Sequence, residues 1–379
     1  MTGLPESMPT LPRYGEATLS DLACSVLCCL GVPDEPNPLQ LSEAQRVCLL
    51  VVDGLGWELL RDQPAAAPFL SELAVSGRTL MAGFPATTVT SMGSLGTGRP
   101  PGQHGLLGYQ VAIPGEGGLL NGLRWDRRVD PVRWQPGPTV FERAVKAGLS
   151  AFRIAHGSLR HTGLAMAAMR GAGYQAADTL GALAAEATAV LRQHDRVLAM
   201  VYYAGLDGTG HECGCTSEAW RYQLAHVDKL AEHLAGALPP DTALYITADH
   251  GMVDVAEHDR VDADQDGDLQ EGVALLGGEP RARHVYARPG AAGEVLAAWR
   301  EVLGARAWVV SREEAVEEGW FGPVEARLMA RIGDVVAAPA GPSAIVASRT
   351  EPRESALIGM HGSLTTADQL VPLLALNAS

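Results

Sequence analysis

Three aspartates stand at the ends of apolar runs: Asp53 after VCLLVV (47–52), Asp207 within YYAGLDGTGH (202–211) and Asp249 within ITADHG (246–251). Two of them have a histidine close by. His211 follows Asp207 by four residues, and His250 directly follows Asp249. A single aspartate of this kind is an ordinary turn or capping residue. Three carboxylates brought to one partly buried site would repel one another strongly. No lysine lies near any of them in the chain, so a divalent cation is the natural neutraliser. Mixed carboxylate and imidazole donors suit zinc, and the same set admits manganese or iron. The two glycines of Asp207-Gly-Thr-Gly-His211 predict a tight loop that folds both side chains toward one ion. In a continuing strand Asp249 and His250 would point to opposite faces. Gly251 predicts a turn that brings both into one cleft.

A nucleophile is offered by Phe84-Pro-Ala-Thr-Thr-Val-Thr-Ser91, which gathers hydroxyls between a Phe-Pro turn and a helix-like stretch. The free N–H groups at a helix start can hold a phosphate oxygen. Taken alone, the same hydroxyls read as helix caps.

The elements that must position these residues follow from periodicity. Val47–Val52, Val197–Tyr203 and Ala243–Thr247 are short apolar runs, rich in β-branched residues and closed by Gly or Asp, and predict buried strands. Trp220, Leu224, Val227, Leu230 and Leu234 form one stripe of a helix over 217–238. Such alternation predicts an α/β fold with a mostly parallel central sheet, which binds ligands at the carboxyl ends of its strands. From about residue 256 the texture changes. A polar stretch (259–271) precedes short strand-like runs at 284–287, 308–310 and 344–347, with an acidic helix pattern at 312–318. The apolar run 370–376 returns to the core. The predicted organisation is a peripheral N-terminal segment (1–45), a catalytic core (46–255 and 356–379) and an inserted cap subdomain (256–355). A short amphipathic helix is expected at 22–32.

Composition removes whole classes of function. With 379 residues, 47% of them apolar, and a net charge of −15, the chain is neither disordered nor built to grip a nucleic-acid backbone. No run approaches the roughly 20 apolar residues of a membrane-spanning helix, and no membrane partner is expected. Six cysteines are too few for a disulfide scaffold. The expectation is a reduced, cytoplasmic protein. Arginine far outnumbers lysine, which occurs only as Lys146 and Lys229, a bias that fits a GC-rich bacterial coding habit.

Taken in order, the motifs DG (53–54), FPATT (84–88), TGRPPGQHGLLGY (97–109), DGTGH (207–211), DHGM (249–252) and HG (361–362) resemble the alkaline phosphatase superfamily. Within it, the chain is most similar to the nucleotide pyrophosphatase/phosphodiesterase branch. The resemblance implies an alkaline-phosphatase-like three-layer sandwich with an inserted cap, and two divalent metal ions. By it, Asp53, Asp249, His250 and Thr88 hold one ion, and Asp207, His211 and His361 the other. Thr88 is the implied nucleophile, with Thr87 next in line. The implied reaction is hydrolysis of a phosphodiester or nucleotide pyrophosphate bond through a threonyl-phosphate, on a small phosphorylated substrate such as a nucleotide. A phosphomonoesterase or phosphonate hydrolase on the same site is the alternative. So is a non-catalytic metal-binding scaffold, which would have no need of Thr88.

The branch usually carries Asn three residues after the nucleophile; here the position is Ser91. The sulfatase context Cys-x-Pro-x-Arg is absent. Ser91, Phe84, Asn121 and Trp125 are the candidate substrate contacts, with Tyr109 and the Leu106-Leu107 pair nearby. Arg78 and Arg99 are the only cations near the nucleophile motif, and neither is spaced to reach Thr88. That favours diesters over the more highly charged monoesters. His104 reads as structural, and Cys213-Gly-Cys215 alone is a weak metal motif. Asp262-x-Asp264-x-Asp266 opens like a calcium loop but has Val273 where such a loop needs Glu.

Overall fold

A strand with apolar side chains on both faces needs cover on both, and Val47–Val52 is buried at every position. It forms the middle of a seven-stranded sheet in the computed structural model, which describes residues 5 and 7–378. Across the sheet the strands run Arg78–Met81, Leu370–Ala378, Thr242–Thr247, Arg46–Val52, Val197–Tyr203, Ser150–Ala155 and Gly173–Ala176. All are parallel except Leu370–Ala378, which runs antiparallel to both neighbours. Helices Leu180–Gln193 and Glu218–Ala237 supply apolar faces to the sheet, the latter through the stripe Trp220, Leu224, Val227, Leu230 and Leu234. The fold is the mixed α/β arrangement expected, a mostly parallel sheet with flanking helices.

The register matters for the site. Val52 pairs with Tyr203, and Leu50 pairs with both Val201 and Ile246. The strands therefore end level with one another, and the residues that follow all emerge at one edge.

The N-terminal helix departs from expectation. It spans Leu19–Cys29, and all of its residues except Cys28 are buried, including Ser20, Asp21 and Ser25. The helix expected at 22–32 thus begins three residues earlier and packs into the domain with almost no exposed face. Asp21 accepts the Thr18 and Gly15 amides, and Ser25 accepts the Leu39 amide, so its polar groups are satisfied internally. The remaining positions of the 1–45 expectation, 1–4 and 6, lie outside the described residues.

Within 256–355 the strands Val273–Glu279, Ala282–Ala287, Val335–Pro339 and Ala307–Ser311 make a separate antiparallel sheet. Val285, Val295, Trp299, Val309 and Ile345 form an apolar cluster of their own. Trp320, Phe321, Leu328 and Val336 join the main core instead. Polar bonds fix the two together. Arg281 and Asp368, both fully buried, meet in a two-point ion pair (Nη2–Oδ2 2.7 Å, Nε–Oδ1 3.0 Å). Arg331 lies over the Trp134 ring and donates to the Gly105 carbonyl at 2.9 Å. His284 donates through Nε2 to the Leu107 carbonyl (2.9 Å), while its Nδ1 accepts the Gly333 amide (3.1 Å). The loop of Asp262, Asp264 and Asp266 is used internally: Asp264 accepts the Arg349 and Thr350 amides, and Asp266 caps Gly267–Gln270.

His284 must be neutral to make both of its bonds. Burial, with the nearby Arg312 charge adding to it, lowers its pKa to about 4. In the unfolded chain an imidazole titrates near 6.5, so below that pH the unfolded state binds the extra proton. Stability contributed by this group is present above pH ~6.5 and lost as pH falls toward 4, by up to ~1.4 kcal/mol per pH unit. Urea unfolding of His284→Gln at pH 7, 6 and 5 should show a shallower loss of stability than the wild type. Identical slopes would contradict this account.

Candidate active site

The parallel strands deliver three carboxylates to one edge. Asp53 follows Val52 directly and Asp249 follows Thr247 by two residues. Asp207 sits in the first turn of a helix, Gly205–Cys213. The tight loop expected here is therefore a helix, despite Gly208 and Gly210. The i,i+4 spacing places Asp207 and His211 on one face, with Oδ2 and Nε2 3.3 Å apart. At Asp249-His250 the chain does turn. Gly251 is required there, since a Cβ would stand 1.9 Å from the Ala367 carbonyl oxygen.

The side chains converge. Among the described residues, two groups have donor atoms close enough to share an ion: Asp207, His211 and His361, and Asp53, Asp207 and His250. His250 Nε2 lies 3.3 Å from Asp53 Oδ1 and 3.6 Å from Asp249 Oδ2. Its ring stacks on that of His361 at 3.6 Å. Thr88 is the first residue of the helix Thr88–Thr97, and its Oγ1 is 3.3 Å from His250 Nε2. Thr87 turns away and donates to Glu279 Oε2 at 3.1 Å.

Backbone carbonyls fix all three imidazoles in the same way. Nδ1 of His211 bonds Gly359 O (2.7 Å), that of His250 bonds Gly251 O (3.0 Å), and that of His361 bonds Ala86 O (3.0 Å). Each carbonyl thus holds a proton on Nδ1 and turns Nε2 toward the cluster, the arrangement that orients histidine for a metal. Three buried carboxylate oxygens, Asp53 Oδ1, Asp207 Oδ1 and Asp249 Oδ2, have no hydrogen-bond partner. Orphaned acceptors of this kind are costly, and divalent cations would satisfy them. The residues fit a metal centre.

The charges strain against one another. Burial and the neighbouring Asp249 and Asp207 hold Asp53 well above the usual carboxylate range. Tyr202, kept protonated by burial, donates to Asp53 Oδ2. Burial also works to raise Asp207, but the adjacent His211 outweighs it and takes the group lower. His211 is raised to about 9: burial opposes this and the Asp207 charge prevails. Burial, with the His250 ring next to it, keeps His361 well below the usual imidazole value.

The profile of the type I phosphodiesterase/nucleotide pyrophosphatase family matches residues 47–364. The chain belongs to this family. Membership supports a hydrolase acting on phosphoester bonds; enzymes of the family use two divalent metal ions, and the Asp/His groups above are of the kind that could hold them. Among solved structures, murine ectonucleotide pyrophosphatase/phosphodiesterase 5 is similar at 18% identity and a TM-score of 0.69, over 88% of this chain and 89% of that one. An inactive variant of that protein in complex with AMP gives a TM-score of 0.68 at 18% identity, over 88% of each chain. Phosphonoacetate hydrolase from Sinorhizobium meliloti in complex with phosphonoacetate gives 0.66 at 17% identity, over 89% and 91%. These likenesses establish the fold. No curated protein sequence matches the chain significantly.

In this family member a cavity of about 610 Å³ opens over Thr88, Asp207, His211 and His361. Tyr109, Leu123 and Arg124 line one side of its mouth, and Arg353, Glu354 and Ile358 the other. Tyr109 donates to Glu354 across the gap at 3.1 Å. Arg124, Arg353 and Glu279 are lining residues that sequence reasoning missed, because nothing local in the chain ties them to the nucleophile motif. The expected substrate contacts lie elsewhere. Ser91 is fully buried and donates to the Asp249 carbonyl at 2.6 Å, so it holds the Asp249-His250 turn. Phe84 is buried against Trp320 and Phe321, and Leu106 and Leu107 are buried too. Trp125 packs on Trp134 and donates to Val129 O. Asn121 Oδ1 accepts the Leu123 and Arg124 amides, shaping the turn that presents those two at the mouth. His104 is buried between Ser94 and the Leu106 amide, and neither Cys213 nor Cys215 is in a ligand cluster.

Two outcomes follow from the orphaned carboxylates and the turn at Gly251. Protein purified without chelator should carry two divalent ions per chain by elemental analysis. Stripping them should lower the melting temperature, since an ion present at 100 times its Kd stabilises by ~2.7 kcal/mol. Gly251→Ala should be destabilised by about 1–3 kcal/mol in urea, the usual cost of overpacking, and should bind metal less tightly. A variant as stable as the wild type would show that the turn relaxes.

Proposed function

We propose that this protein hydrolyses a phosphodiester or nucleotide pyrophosphate bond through a covalent intermediate on Thr88. The observation that carries the reading is the place of the Thr88 hydroxyl. It stands at the first position of a ten-residue helix, beside His250 and within the cavity that exposes Asp207, His211 and His361.

Asp53, Asp249, His250 and Thr88 would hold one divalent ion, and Asp207, His211 and His361 the other. Zinc is the first choice for this donor set, with manganese or iron as alternatives. Bound there, two such ions supply Lewis acidity that lowers the pKa of a hydroxyl and neutralises charge on phosphoryl oxygens. Thr88 Oγ1 attacks phosphorus in line with the leaving oxygen. The new P–O bond forms as the old one breaks, the proton Thr88 gives up passes to the departing oxygen, and the phosphoryl group, with its remaining substituent, stays esterified to Thr88 until water hydrolyses it. The first-turn amides of the helix have no intrahelical acceptor and stand ready for a phosphoryl oxygen. That is the service Asn gives in the branch, and Ser91 is committed elsewhere.

The mouth bears on the leaving group. Arg353 comes from the 256–355 span and Arg124 from the far side, so positive charge does reach the site. These arginines favour a leaving group with its own negative charge, such as a nucleotide, over a plain alcohol. They also keep alive a second reading, hydrolysis of a phosphonate bearing another anionic group, which the likeness to phosphonoacetate hydrolase supports. All six cysteines are free thiols, as in a reducing compartment, and no described helix is long and apolar enough to cross a membrane. The free thiols are what supports a cytoplasmic location in this reading.

Thr88→Ala should abolish turnover while metal content and melting temperature stay near wild type, whereas Thr87→Ala should be milder. Should Thr87→Ala prove the dead variant, the nucleophile is misassigned. Substrate class is decided by kcat/KM for a dinucleoside pyrophosphate, whose leaving group is itself a nucleotide, bis(p-nitrophenyl) phosphate, p-nitrophenyl phosphate and phosphonoacetate under one metal condition. The pyrophosphate should lead the monoester by tenfold or more, ~1.4 kcal/mol in transition-state binding. A lead for phosphonoacetate would establish the second reading.

A further inference from the structure

The cap reaches the site with one buried carboxylate whose work is unassigned. Glu279 ends the strand Val273–Glu279, and the backbone before it is set by Gly278. That residue has φ +81°, and a Cβ on it would stand 1.9 Å from the Ala282 carbonyl oxygen. Glu279 Oε2 accepts from Thr87 Oγ1 at 3.1 Å and lies 3.6 Å from His361 Nδ1. Its Oε1 is buried without a partner, and the residue lines the cavity.

Two consequences meet at this carboxylate. Thr87 is the N-cap of the helix that begins with Thr88, yet its side chain makes no capping bond. An N-cap threonine ordinarily uses its hydroxyl on the N2 or N3 amide. Here the hydroxyl is drawn off to Glu279, and the first-turn amides stay open at the position where a phosphoryl oxygen would sit. Behind His361, the same oxygen lies on the Nδ1 side, where Ala86 O accepts the Nδ1 proton. An acceptor there steadies the ring and keeps the opposite nitrogen aimed at its ion.

We propose that Glu279 is a positioning residue of this hydrolase: it holds Thr87 off the helix N-terminus and orients His361 toward its ion. The inference rests on the reading under Proposed function. Glu279→Ala should lose about 10–100-fold in zinc affinity at one of two sites, the scale typical of such outer partners, with the other site unchanged. It should also lose kcat, because the freed Thr87 hydroxyl then caps the amides.

The test is calorimetric zinc titration of metal-stripped wild type, Glu279→Gln, Glu279→Ala, Thr87→Ala and Thr87→Ala/Glu279→Ala, with kcat and KM on the best substrate. Glu279→Gln keeps an acceptor and the volume, and should recover most of what Glu279→Ala loses. The double variant should be no slower than Glu279→Ala alone, since removing the Thr87 hydroxyl also removes the cap. Additive losses, or unaltered zinc affinities and kcat in Glu279→Ala, would overturn the proposal. A lower melting temperature with unaltered affinities and kcat would do the same, as that marks a purely structural side chain. A wild type that takes up none of zinc, manganese or iron overturns the hydrolase reading itself, and this inference with it.

Discussion

Asp53, Asp207 and Asp249 stand where electrostatics least wants them, two buried and Asp207 half-buried, together at the carboxyl ends of adjacent strands. The fold leaves them no way apart. The parallel register ends the strands at one level, and each aspartate is tied to backbone or to a neighbour: Asp249 to the Gly54 and His250 amides, Asp53 to Tyr202. Three orphaned oxygens facing inward mark a structure completed by cations rather than by protein donors. Much of the surrounding chain serves this frustration. Carbonyls turn three imidazoles to face it, Ser91 pins the turn beside it, and helix Thr88–Thr97 aims its positive end at it.

The second sheet, within 256–355, shares in this work. Its ties to the core are short and buried, Arg281 to Asp368 and Arg331 to Gly105 and Trp134. A buried ion pair of that kind contributes little net stability while intact and costs several kcal/mol when one partner is removed. It thus resists relative motion more than it stabilises. At the end of one strand of this second sheet, Glu279 lies beside Thr87 and His361.

Much of this was legible in the sequence, and the reasons differ by element. Buried strands announce themselves because both faces are apolar, so Val197–Tyr203 was readable to the residue, and Val47–Val52 and Ala243–Thr247 to within one. The cluster was readable because sheet topology turns strand-final aspartates into neighbours. The helix at Asp207–His211 was not, because two glycines outweigh local propensity, although the four-residue spacing already carried the helical signal. The N-terminal helix hid its burial behind Ser20, Asp21 and Ser25, whose partners are local amides and a loop. Ser91 misled through analogy: three residues after Thr88 on a helix it faces the Asp249 turn. Arg124, Arg353 and Glu279 were invisible for a plainer reason. They reach the cavity from distant stretches, and no short-range pattern records that.

The mouth is assembled from two stretches that contribute none of the seven Asp, His and Thr side chains beneath it. One is the turn shaped by Asn121 and the other is the segment around Arg353 and Ile358, joined through Glu354, which meets both Tyr109 and Arg124, and through Gln110 and Glu351. Recognition of the outer half of a substrate is therefore inherited separately from the chemistry at its phosphorus. A lineage can rewrite a few exposed positions such as Leu123 and Ile358 and acquire a new diet while the reactive floor stays untouched.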